Sequence, residues 1–175
     1  MGRYGKRPDL IVHVEEPFNA ETGLAALAES ALTATDAFYV RDHGPVPEID
    51  TATWWLHVYG FVERELHLSL VTLREAFRER EVTATLQCAG NRRAGLVAIR
   101  DIPDEAPWGP GATGTATWTG VALADVLALA DPLHEAAHVG FEGADLCSAT
   151  IPAERFGGSI PLDKAGRPEV LRAWA

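Results

Sequence analysis

Sixteen Gly and eleven Pro are spread along 175 residues rather than gathered into one linker, so they read as turns in a loop-rich fold. Proline removes a backbone donor and glycine weakens the interior of either regular element, so short elements joined by turns are expected. With 47% hydrophobic residues it is long enough to bury one sizeable core. Apolar alternation at Leu56, Val58 and Val62, and again over 66–70, predicts two adjacent strands. Val82, Ala84, Leu86 and Cys88 alternate with Thr83, Thr85 and Gln87, which is the clearest strand pattern in the chain. Short helices are expected over 21–32, over 73–79 with Thr72 and Glu75 as a reciprocal cap, and along a face made by Leu123, Val126, Leu127 and Ala130. Further strands are expected near 38–40 and 138–142, and an extended piece over 159–162 entering a helical turn near Lys164. No β-α-β rhythm emerges, so the fold class is α+β with a mixed sheet. Residues 1–20 show charge, Gly and Pro without periodicity and read as an extended arm, leaving 21–175 as one domain.

A net charge of −10 disfavours a nucleic-acid partner, because phosphate binding needs clustered Lys and Arg. The same bulk charge repels small anions at long range, so an anion site here must be a local arginine cluster. No apolar run approaches a membrane-spanning length and the basic N-terminus has no apolar stretch behind it, so no membrane partner and a cytoplasmic location are expected. Cys88 and Cys147 are the only cysteines, too few for a disulfide framework and too far apart for a zinc or redox pair. His57, His67, His134 and His138 show no ligand spacing and read as surface or packing residues.

Chemistry concentrates after the clearest strand. A thiolate is a soft metal ligand, and Cys88 ends that strand just before a Gly-containing turn that carries Arg92 and Arg93. Read in isolation, such a cysteine is more often a small buried hydrophobe. An arginine in a loop is more often solvated, His43 equally serves as a cap of its own turn, and Trp108 as a core aromatic within the loop 100–115.

The block LQCAGNRR, Leu86 to Arg93, changes that weighing, because it resembles the segment in which the sulfite oxidase family of molybdenum enzymes presents its metal-ligating cysteine. YVRDHGPVP (39–47), GATGTATWTGVALADVL (111–127), HVGFEGAD (138–145) and SIPLDKA (159–165) resemble further family segments in the family's order. EEPFNAE (15–21), with Asp145 and Cys147, is most similar to the plant type, which has no haem domain. The resemblance covers about residues 8 to 172 and implies a molybdopterin-binding domain with a molybdenum-molybdopterin cofactor. It implies that Cys88 is the molybdenum ligand, that Tyr39, Val40, Arg41, Asp42, His43 and Asp145 hold the pterin, and that Arg41, Arg93 and Trp108 line the oxyanion pocket. The family more often has Asn where Asp42 stands.

The implied activity is oxidation of sulfite to sulfate by oxo transfer, with a small oxyanion as substrate and no electron acceptor indicated. A related reaction such as sulfoxide reduction stays open. The family's pattern continues past Trp174 into a phosphate-binding half of the site and an immunoglobulin-like dimerisation domain, so this chain is expected to be a partial domain that holds the cofactor weakly alone. Two classes therefore remain: a molybdenum oxidoreductase or its cofactor-binding part, and a non-catalytic remnant that folds or assembles with other segments.

Overall fold

A computed structural model describes residues 2–147 and 152–174. Along these residues the chain forms β1 (Ile11–Val14), β2 (Asn19–Glu21), α1 (Leu24–Leu27), β3 (Val40–Arg41), β4 (Trp55–Val58), β5 (Leu66–Ser69), α2 (Leu70–Ala76) and β6 (Glu79–Gln87). It continues with α3 (Arg93–Val97), β7 (Thr113–Ala122), α4 (Leu123–Ala130), β8 (His138–Cys147), β9 (Glu154–Pro161), α5 (Leu162–Ala165) and β10 (Leu171–Ala173). The architecture is α+β, as expected, built from small sheets ordered β1-β2-β3, β10-β7-β6, β4-β5 and β8-β9. The chain divides into two units, Met1–Val46 with Thr83–Thr117 and Asp145–Glu154, and Pro47–Val82 with Trp118–Ala144 and Arg155–Ala175.

In the first unit β2 lies between antiparallel β1 and β3, with Ala20 opposite both Val12 and Val40. Leu10, Phe18 and Ala20 form its core against Val40. The stretch 1–20, which lacks periodicity in the sequence, thus supplies β1 and the first residues of β2. Its signal is hidden because β2 buries the polar residues Asn19 and Glu21 beside Ala20, and because the β1–β2 register shifts between Val12 and Val14. Threonine pairs Thr83–Thr117 and Thr85–Thr115 link β6 and β7 through hydroxyl contacts of 3.2 and 2.7 Å. Gly114 lies against the Phe38 ring, where a Cβ would come within 2.6 Å of it.

In the second unit the β4–β5 hairpin turns Leu56, Val58, Leu66 and Leu68 onto a core shared with Leu73, Val121 and Val126. Val62 falls outside the strand, in a bridge to Pro132. α4 buries Leu123, Val126, Leu127 and Ala130, the face its spacing predicts, and stops where Asp131 turns left-handed. Val126 joins the hairpin core, whereas Leu123 and Leu127 pack with Ala165 and the flanking Val139, Ile160, Leu162 and Val170. Arg172, standing on β10, lays its guanidinium over the Trp54 ring at 5.1 Å, so its stem fills space while the cation keeps a π partner.

Other expectations shift. Only Leu24–Leu27 of the helix expected over 21–32 forms, and Gly23 offers it no side-chain cap. Helix α2 starts earlier than expected: Ser69 is its cap, accepting from the Thr72 N–H at 3.0 Å. Strand β7 runs ten residues, taking 113–115 from the irregular loop expected over 100–115 and 120–122 from the start of the expected helical run, because Gly, Ala and Thr mask its alternation. No helix among the described residues is long and apolar enough to cross a membrane.

These contacts rank three substitutions. Ser69→Ala is expected to cost about 0.5–2 kcal/mol by removing the cap. Leu73→Ala, at a site 1% exposed, is expected to cost about 2–5 kcal/mol, and Thr72→Ala less than Ser69→Ala. Urea unfolding of the three variants checks the order; a larger loss for Thr72→Ala than for Ser69→Ala would contradict the cap.

Candidate cofactor and oxyanion site

Strand β6 ends at Gln87, and Cys88 closes the ladder by donating its N–H to the Ala112 carbonyl at 2.9 Å. The chain then turns back tightly. The Asn91 N–H donates to the Cys88 carbonyl and the Arg93 N–H to that of Gly90, both at 2.9 Å. The Gly90 N–H points to Cys88 Sγ at 3.4 Å. Arg92 takes a left-handed conformation with φ 67°, and its N–H donates to the Gly109 carbonyl at 2.8 Å. The Ala94 N–H donates to Trp108, and Asn91 Oδ1 accepts from the Ala112 N–H at 3.2 Å. Backbone bonds therefore tie the long loop to this turn, and Cys88 at its start is half-buried.

Gly90 is where the turn allows no side chain. A Cβ there would lie 2.8 Å from Trp108 Cδ1 and 2.9 Å from Arg93 Cζ and Nη2. Trp108 is 1% exposed, so it braces the turn from within rather than offering a face to solvent. Its ring meets His13 edge-on at 5.0 Å, and His13 Nε2 lies 3.4 Å from the buried carboxylate of Glu21. That carboxylate in turn lies against Gly109, leaving no room for a Cβ. Arg93 is half-buried, donates through Nη1 to the Ala106 carbonyl at 3.1 Å, and pairs with Glu105 at 2.5 Å.

Residues 39–43 form a loop held by Asn19. The Asn19 amide donates to the carbonyls of Pro17 and Asp42 at 2.9 and 3.1 Å, and its oxygen accepts from the Asp42 N–H at 3.0 Å. Arg41 is exposed, with Nη1 donating to the Asp42 carbonyl and weakly to Asn19 Oδ1 at 3.4 Å. Asp42 Oδ2 is buried without a hydrogen-bond partner. Burial pushes the Asp42 carboxyl up; Arg41 opposes that and the nearby Asp145 adds to it. Burial pushes the His43 imidazole down, helped by Arg41 and opposed by Asp145 and Asp42. Burial also pushes the Tyr39 phenol up, with Cys88 contributing in the same direction.

The expected residues thus gather in groups. Asp42, His43 and Asp145 sit within one another's fields, beside Arg41; Tyr39, next to Val40 on β3, senses Cys88. Cys88, Gly90, Arg93 and Trp108 share the turn. Arg41 bonds within its own loop and Arg93 to the 105–106 segment, so the two guanidiniums are anchored separately. Sequence reasoning missed Asn19, Glu105 and the His13–Glu21 pair. The first and last lie in or beside EEPFNAE, whose residues show no spacing of their own that points to these contacts, and nothing in local spacing marks Glu105 as the partner of Arg93.

Residues 43–175 match the family described as the oxidoreductase molybdopterin binding domain. Sulfite oxidase from Gallus gallus is 42% identical over 97% of this chain and 37% of its own length. Sulfite oxidase from Arabidopsis thaliana is 38% identical over 94% of this chain and 43% of its own, so animal and plant forms stand close together. Nitrate reductase [NADPH] from Aspergillus niger is 39% identical over 87% of this chain and 17% of its own. The sulfane dehydrogenase SoxCD from Paracoccus pantotrophus shares the fold, with a TM-score of 0.69 at 23% identity over 95% of this chain and 38% of that one. The chain spans about a third of the length of the animal sulfite oxidases it matches.

Two expectations follow from this geometry. Gly90→Ala forces Trp108 and Arg93 apart and should destabilise the chain by about 1–3 kcal/mol in urea unfolding; unchanged stability would mean the turn is not packed as described. Asp42 has its folded value raised, so the stability linked to its protonation is complete below the unfolded value near 3.8 and is lost as the pH rises through the folded value. Asp42→Asn should remove that slope and stabilise the chain at neutral pH. Unfolding curves across acid pH check this, and a slope surviving the substitution unaltered would contradict it.

Proposed function

Because this chain belongs to the oxidoreductase molybdopterin binding domain family, whose cofactor is the molybdenum-molybdopterin group, we propose that it supplies the thiolate for the metal and binds an oxyanion, sulfite first, beside it. The residues present fit the cofactor. Cys88 offers a soft donor on a half-buried residue, on a turn fixed by backbone hydrogen bonds, which is the observation that carries the reading. The buried Asp42 Oδ2 without a partner, beside His43 and Asp145, fits a polar ligand that would complete its hydrogen bonding.

In this reading Cys88 holds the metal, while Tyr39, Val40, Arg41, Asp42, His43 and Asp145 hold the pterin. When bound, the group supplies two-electron redox and oxo-transfer chemistry that no side chain can. The protein contributes position and charge. Arg41 is exposed and its guanidinium has donors beyond the Nη1 used in its own loop. Arg93 lies at Gly90, two residues beyond the thiol in sequence, and can meet an anion with the part of its fork not committed to Glu105. Glu105 has a second consequence: it neutralises Arg93 until an anion arrives, so the arginine is held in place but its net attraction is damped. Trp108, buried beneath Gly90, positions the turn rather than contacting substrate.

The resemblance to sulfite oxidases at 38–42% identity favours sulfite. The similarity to a nitrate reductase keeps nitrate as the competing oxyanion. Both are trigonal-centred anions that an arginine fork can grip through two oxygens.

Anion binding and metal content test this reading separately. Titrating the chain with sulfite, sulfate and nitrate by NMR should show saturable binding that Arg41→Gln and Arg93→Gln each weaken by about tenfold to a hundredfold, the loss of one charge-assisted contact at about 1.5–3 kcal/mol. Sulfite binding undiminished in both variants would remove these arginines from the site, and nitrate binding more tightly would exchange the substrate. Produced in a host that makes the cofactor, the wild-type chain should carry more molybdenum than Cys88→Ser, because a hydroxyl is a harder and rarely ionised ligand. Equal molybdenum in the two would favour the non-catalytic remnant.

A further inference from the structure

The outer face of the β4–β5 hairpin carries a grouping that the molybdenum reading does not use. Alternation sends Leu56, Val58, Leu66 and Leu68 into the core, so Trp55, His57 and Ser69, His67 stand on the opposite face. Antiparallel register sets His57 directly across from His67. Their rings stack at 4.1 Å between centroids, 21° from parallel, and the His57 ring also stacks on Tyr59 at 4.5 Å. Glu65, adjoining β5, brings its carboxylate to 3.5 Å from His57 Nε2. One ligand atom from each of His57, Glu65 and His67 lies within 4.8 Å of the other two, and all three side chains are exposed.

We propose that His57, His67 and Glu65 form a binding site for a divalent transition-metal ion of the zinc type, clipping β4 to β5. Two imidazoles and one carboxylate are the donor set of a borderline metal rather than of magnesium or calcium, which prefer all-oxygen cages. Zinc bonds of about 2.0–2.2 Å place neighbouring tetrahedral donors about 3.3 Å apart. Closing from the present spacing therefore needs only side-chain rotation, and exposed side chains on a paired hairpin allow it without backbone movement. Three protein ligands leave a fourth position for water. His57 and His67, ten positions apart, show no ligand spacing in the sequence, because the rules for helices and zinc loops do not cover a cross-strand pair; hairpin register alone creates it.

The test uses the full chain with Cys88 and Cys147 capped by iodoacetamide, so that neither thiol takes the ion. Zinc titrated by calorimetry should bind stoichiometrically with micromolar affinity. Loss of an outer-shell partner typically weakens a metal site about tenfold to a hundredfold, so His57→Gln and His67→Gln, which remove ligands outright, should weaken binding at least about tenfold. Glu65→Gln should weaken it too, while His134→Gln, at a side chain 90% exposed outside the cluster, should leave it unchanged. Circular dichroism confirms that each variant folds. Should one not, nickel-induced broadening of the wild-type ring-proton signals decides, and it should strike His57 and His67 before the other histidines. Failure of the capped chain to bind zinc below millimolar concentration, equal binding by the His57 and His67 variants, or indiscriminate broadening would each overturn the proposal. These readouts do not involve molybdenum, so the outcome is independent of the cofactor reading.

Discussion

The missing side chain at Gly90 is the constraint on which the candidate site depends. Trp108 and the Arg93 guanidinium both occupy the space that a Cβ would need. Their approach lets the segment after β6 fold back on itself through the Asn91 and Arg93 amide bonds. A thiol at the end of a free strand would be a mobile nucleophile; a thiol on this turn has its backbone fixed by Ala112 on one side and by the Gly90 N–H at its sulfur on the other. The loop 100–112, rich in Pro and Gly, is not idle connection. Its carbonyls at Ala106, Trp108 and Gly109 accept from Arg93, Ala94 and Arg92, so the loop and the turn order each other.

Charge around this turn is only partly compensated. Arg93 pairs with Glu105, whereas Glu21 lies 3.4 Å from His13 Nε2 without a hydrogen bond between the two. Asp42 Oδ2 is likewise buried without a hydrogen-bond partner: Arg41 donates to the Asp42 backbone carbonyl rather than to its carboxylate, and Asp145 adds like charge nearby. An acid left in that state costs stability.

What was legible in the sequence divides along physical lines. The α4 face of Leu123, Val126, Leu127 and Ala130 and the β4–β5 pairing are carried by apolar periodicity; the face is found as read and the pairing is found with β4 ending at Val58, short of Val62. The strand leading to Cys88 is legible for the same reason. Elements whose stability is tertiary were not: β2 buries Asn19 and Glu21, β7 is written in Gly, Ala and Thr, and β1 shifts register at His13. For the candidate site, Cys88 and Arg93 stand out through the LQCAGNRR block and Asp145 through HVGFEGAD, rather than by residue type alone. Supporting residues do not. Asn19 holds the 39–43 loop from a distance in sequence, Glu105 pairs with Arg93 across the loop, and His57 meets His67 only through hairpin register.

Family membership accounts for the cofactor, while the proposal that Cys88 touches the metal rests on the LQCAGNRR block and on the turn that fixes the half-buried cysteine. Molybdenum K-edge absorption spectroscopy on the cofactor-loaded chain addresses that bond directly. A thiolate scatterer beyond the dithiolene sulfurs, present in the wild type and lost in Cys88→Ser, is the predicted result. Identical sulfur shells in the two proteins would contradict it.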